Sequence, residues 1–70
     1  MTQYFDIHVF YSRNDGYSIP FKIDDEKYID LDEDEIIELA VELGILDRDD
    51  ANQVSYVIEI SEKDYIDMVG

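Results

Sequence analysis

Between Asp24 and Glu35 stand eight carboxylates, Asp24, Asp25, Glu26, Asp30, Asp32, Glu33, Asp34 and Glu35, with Lys27 as the single basic residue among them. Such an oxygen-rich run suits a hard cation. A calcium loop of the EF-hand type needs oxygen ligands at its first, third and fifth positions, Gly at the sixth and a bidentate Glu at the twelfth. Asp30, Asp32 and Asp34 fit the opening, but Glu35 stands where Gly is required and Val41 occupies the twelfth position. A start at Asp47 places Asp49 correctly and then meets Ala51. Neither frame makes the loop. No metal site is assigned, and a carboxylate-rich cation-binding protein stands only as a secondary alternative.

The remaining reactive side chains are sparse. His8 has no second His and no Cys beside it, so a transition-metal centre would need carboxylates for every other ligand. Paired carboxylates perform acid and base work only where a pocket drives their pKa values apart, and acids on caps and loops do not describe one. Nucleophile elbows, phosphate-cradling glycine loops and zinc spacings are missing from the sequence. No catalytic or cofactor-binding residue is assigned, and the expectation is a protein that is not an enzyme.

Charge is the stronger signal. Nineteen Asp and Glu against five Lys and Arg give a formal charge of −14 on 70 residues. Contact with phosphates needs Lys and Arg, so direct binding to nucleic acid or to an anionic membrane is not expected. A basic protein surface is the natural complement. At 46% hydrophobic, with six Tyr and three Phe, the chain is too apolar for a disordered acidic tail and fits one folded domain over residues 1–70. Its lack of Cys, of a leader-like start and of a membrane-length apolar run makes a soluble cytoplasmic protein the expectation.

The elements that must carry these charges follow from periodicity. Phe5, Ile7, Val9 and Tyr11 alternate with Tyr4, Asp6, His8 and Phe10, which predicts a first strand. A second runs from Tyr17 through Ile19 and Phe21 to Ile23. The intervening Asn14-Asp15-Gly16 predicts a three-residue hairpin loop with Gly16 left-handed, pairing Val9 with Phe21, Ile7 with Ile23 and His8 with Lys22. Pro20 cannot donate to a ladder, so the second strand belongs at an edge. Asp32 and Glu35 form a capping box ahead of a helix from Glu33 to Leu43, with Leu31 as its staple and Gly44 as its left-handed stop. Its apolar stripe is Ile36, Leu39, Ala40 and Leu43, widened by Ile37 and Val41. A polar turn after Asp47 leads to a third strand, Val54 to Ile60, and Ser61 starts a short helix ending near Met68.

The expected fold class is therefore α+β: a three-stranded antiparallel sheet in the order 2-1-3, with both helices packed on one face in a ββαβα succession. Tyr28 to Leu31 is a candidate fourth strand. Two surfaces are candidates for partners. The first is acidic, Asp32, Asp34, Glu35, Glu38, Glu42, Asp47, Asp49 and Asp50, with no helical Lys to offset the Glu stripe. The second is the sheet face away from the helices, where Tyr4, His8, Phe10 and Val57 would meet a partner or a second copy in a homodimer. Edge pairing through the third strand is another dimer mode.

Two functions follow. One is a small acidic interaction module that binds a basic protein surface. The alternative is a DNA mimic that inhibits a nucleic-acid-binding protein, since Glu35, Glu38 and Glu42 repeat at ~4.5 to 6 Å along a helix axis. In composition alone the chain resembles small acidic proteins of phages and conjugative elements that block restriction, nuclease or host polymerase functions; no motif assigns it to them, and a mobile-element origin belongs to the DNA-mimic alternative.

Overall fold

Ile7 and Val9, both 0% exposed, sit in the middle strand of the sheet and anchor everything else. The computed structural model describes residues 2–70. Its elements are β1 (Gln3–Ser12), β2 (Asp15–Ile23), α1 (Glu33–Glu42), α2 (Arg48–Ala51), β3 (Val54–Ile60) and α3 (Glu62–Val69). The sheet is antiparallel in the order β2-β1-β3, and the fold is the expected α+β arrangement. Pro20 lies on edge strand β2, opposite Asp6 of β1, as its missing N–H requires of a strand with one open side. The fourth strand does not form among the described residues: Tyr28 to Leu31 is loop, bent by Asp30, whose φ of 60° is a left-handed conformation that Asp tolerates better than most side chains.

The hairpin turns elsewhere than expected. Phe5 pairs with Phe21, Ile7 with Ile19 and Val9 with Tyr17, while the turn is made by Arg13 and Asn14 with a bulge between Phe10 and Ser12. This register differs from the expected one by an even step, so the apolar faces still coincide. His8 consequently faces Ser18, not Lys22, and Lys22 faces Tyr4. Gly16 is required by closeness and not by a left-handed φ: a Cβ there would stand 2.7 Å from the Val9 carbonyl oxygen.

A second bulge, at Ser55 between Val54 and Tyr56, reverses the faces of β3. Val54 pairs with Val9 and Val57 with Ile7, so both pack against the core, whereas Tyr56, Ile58 and Ile60 pair with His8, Asp6 and Tyr4 on the other side. The uninterrupted alternation Val54, Tyr56, Ile58, Ile60 suggests the opposite. Val57 therefore does not belong to the second sheet face.

That reversal fixes the place of α3. It packs on β1 and β2 across the face opposite α1, with the Tyr65 and Tyr4 rings 5.1 Å apart and the Tyr4 hydroxyl donating to Glu62 at 3.2 Å. The helices thus divide between the two faces, where one shared face was expected, because the reversed β3 carries Ser61 and the following turn away from α1. Ser61 caps α3 by accepting from the Asp64 N–H at 3.1 Å.

The core between sheet and α1 joins Phe5, Ile7, Val9, Phe21 and Ile23 to Ile36, Leu39, Ala40 and Leu46. Leu43, expected in the helical stripe, is 61% exposed, and Leu46 at 3% takes the buried place. The cause is the helix stop. The Gly44 N–H donates to the Val41 carbonyl and the Ile45 N–H to the Ala40 carbonyl, the paired bonds of a Schellman cap, with Gly44 at φ 75°. The chain then folds back so that Leu46 re-enters the interior.

At the other end of α1 the capping box is complete: Asp32 Oδ1 accepts from the Glu35 N–H at 2.9 Å, and the Asp32 N–H reaches Glu35 Oε1 at 3.4 Å. Replacing Asp32→Ala is expected to lower unfolding stability by about 1 kcal/mol, measured as an earlier urea midpoint with an unchanged slope. An unaltered midpoint would show that the cap makes no net contribution.

Candidate acidic interaction surface

α1 is the natural platform for the carboxylates because both of its ends are tied and one side is buried. The eight acidic candidates fall into distinct groups. Asp32 and Glu35 are engaged in the capping box. Glu38 receives Arg48 from α2 at 2.8 Å, so the helical stripe is not wholly uncompensated, as its own sequence suggests. Both partners are exposed, and pairs of this kind contribute little net stability. Asp50 accepts a short hydrogen bond from the Tyr17 hydroxyl, which ties α2 to the hairpin. Asp34, Glu42, Asp47 and Asp49 are exposed and make no side-chain hydrogen bond or ion pair among the described residues. Asp47 precedes α2 without capping it through its side chain.

Beside α1 lies an open groove of about 510 Å³. Tyr28, Leu31 and Leu39 provide apolar lining, and Asp34, Glu35, Glu38 and Glu42 supply carboxylates around it. The groove's far wall is the loop from Asp24 to Leu31, whose middle is held by contacts at Asp25 and Tyr28. Asp25 Oδ1 accepts from the Lys27 N–H at 3.1 Å, the Tyr28 N–H donates to the Asp25 carbonyl at 3.1 Å, and Gln3 Nε2 donates to the Tyr28 carbonyl at 2.9 Å. Lys27 Nζ stands 5.1 Å from the centre of the Tyr28 ring, within cation–π range. Sequence reasoning found the carboxylates but not Tyr28, Leu31 and Leu39 as groove residues, since their meeting depends on the path of a loop without periodicity.

The second surface is smaller than the sequence suggests. Tyr4 is half-covered by α3, and His8 is stacked on Tyr56 at 4.9 Å with Nδ1 3.1 Å from Ser18 Oγ. Phe10, 48% exposed, remains open near the hairpin, while Val57 faces the core. Tyr56 and Ile58, the latter 48% exposed, join this face in place of Val57. Asp6 also points here, and its Oδ1 is sealed from solvent without a hydrogen-bond partner among the described residues. Among those residues, no three His, Asp or Glu converge in a way that could hold a metal ion. No helix of the described residues is long and apolar enough to cross a membrane.

Compared with known proteins, the chain matches no family model, no curated protein and no solved structure. The residues themselves carry the functional reading.

Partial burial pushes the Tyr4 phenol above its ordinary value, and its hydrogen bond to the Glu62 carboxylate adds to the rise. A group whose folded pKa is raised stabilises the fold fully below its unfolded value, near ~10 for Tyr, and loses that contribution as pH climbs through the folded value. Between about pH 9 and about pH 11.5, wild-type protein is therefore expected to lose more stability than Tyr4→Phe, read as the change in urea midpoint for each. Equal losses would remove the Tyr4–Glu62 contact from any role in docking α3.

Proposed function

We propose that this protein is a non-enzymatic, cytoplasmic interaction module whose acidic surface around α1 binds a basic surface on another protein. One observation carries the reading: Asp34, Glu38 and Glu42 repeat every four residues along α1, and among the described residues Arg48 is their one ion-pair partner, through Glu38. Like charges at this spacing destabilise an isolated helix by a few tenths of a kcal/mol per pair. A partner's Lys and Arg side chains relieve that repulsion on binding. The surplus of −14 acts at longer range, steering a cationic partner toward the chain and repelling nucleic acid.

A more specific version makes the partner a nucleic-acid-binding protein and this chain a mimic of its ligand. The same four-residue repeat supports it, placing carboxylates ~6 Å apart along a stiff axis, on the scale of a phosphate backbone. Both versions predict basic partners, and they separate on competition.

Immobilised protein is expected to retain basic partners at about 0.05 M salt and release them by about 0.5 M, as screening shortens the reach of its charge. Duplex DNA in the wash displaces the partner if the chain is a mimic and leaves it bound if the complement is a basic patch with no nucleic-acid role. Partners that are acidic or neutral, or that stay bound at about 1 M salt, would contradict the electrostatic reading.

A further inference from the structure

The groove beside α1 has a lining that a featureless acidic patch lacks. Its wall holds an aromatic ring, Tyr28, and two aliphatic side chains, Leu31 and Leu39, while Asp34, Glu38 and Glu42 stand around it. We propose that this groove receives an arginine-bearing segment of the basic partner. The inference rests on the reading above and narrows it to a site and a side chain.

Three features select arginine. Its aliphatic stem can lie along Leu31 and Leu39, removing apolar surface of both partners from water. Its planar guanidinium forms paired hydrogen bonds with carboxylates, which a lysine ammonium cannot reproduce, and at least two unpaired ones, Asp34 and Glu42, border the groove. The Tyr28 face already holds a cation of this chain, Lys27 Nζ at 5.1 Å from the ring centre. That contact is exposed and weak, so a guanidinium stacking on the ring displaces Lys27 readily. The volume of about 510 Å³ lies within the roughly 300–1,000 Å³ typical of ligand clefts, which leaves room for more than one side chain of a partner segment.

The test uses acetylated, amidated hexa-arginine and hexa-lysine peptides, equal in charge, titrated into the full chain at low salt. Hexa-arginine should bind at least about threefold more tightly, the margin expected of forked, charge-assisted pairing over point-charge attraction. Backbone amide shifts should cluster at Tyr28, Leu31 and Leu39. The triple variant Asp34→Asn, Glu38→Gln, Glu42→Gln should weaken hexa-arginine about tenfold, three exposed pairs being lost together. Asp15→Asn, Asp64→Asn, Asp67→Asn removes the same net charge at the hairpin and on α3, across the sheet from α1, and should weaken it about twofold or less. Tyr28→Leu, which leaves net charge unchanged, should reduce the preference for arginine without abolishing it, because the paired hydrogen bonds to Asp34 and Glu42 remain. Equal weakening by the two triple variants, or shifts spread evenly over the surface, overturns the groove and leaves the broader electrostatic reading standing. Failure of both peptides to bind at low salt overturns both.

Discussion

A single strand is buried on behalf of the whole molecule. β1 is hydrogen-bonded on both edges and covered on the side of Phe5, Ile7 and Val9 by α1, and on its other side Tyr4 meets α3 through Tyr65 and Glu62. Fourteen surplus negative charges repel one another across a domain whose Cα radius of gyration is 11.7 Å. In so small a domain apolar burial is the main term that opposes that repulsion together with the entropy of ordering the chain. The sealing of Ile7 and Val9 is thus the condition for every surface feature, because it keeps the carboxylates at fixed positions on a scaffold and prevents them from drifting apart on an expanded chain.

The acids are not equivalent once the scaffold is in place. Asp32 and Glu35 shape the start of α1, Asp50 holds α2 to the hairpin through Tyr17, and Glu38 shares Arg48. Structural duties therefore occupy part of the charge, and what remains outward along α1 is the part that a partner can use. α2 also packs beside α1, where Arg48 meets Glu38, so the acidic helix has a neighbour towards its C-terminal side as well as a cap at its start. Rigidity of this kind limits the ordering entropy that a partner's binding must overcome.

Local signals were the legible ones. The capping box at Asp32 and Glu35, the left-handed Gly44 and the edge position forced by Pro20 are each decided within a few residues, and the helix limits and strand order follow from them. Bulges escaped because a single unpaired residue leaves no mark in hydrophobic periodicity: a bulge at Tyr11, together with a turn at Arg13 and Asn14, set the hairpin register, and Ser55 turned β3 over and sent α3 to the opposite face. Leu46 was hidden for a related reason, as the sharp fold-back after Gly44 ends the helical period that favours Leu43. At the surface, the number of carboxylates was plain from the sequence, whereas the contacts of Arg48 and Tyr17 join residues 10 and 33 positions apart and depend on tertiary structure. The groove between α1 and the Asp24–Leu31 loop belongs to the same class.

The balance between interior and shell is measured most directly by urea unfolding, followed by tyrosine fluorescence, at about 0.02 M and about 0.5 M sodium chloride. Screening shortens the Debye length from roughly 20 Å to a few ångströms over that range, relieving repulsion across the domain while leaving apolar burial in place. A midpoint that rises with salt at constant slope, in one cooperative transition, is the result this account predicts. A midpoint that is flat or falls with salt would contradict it.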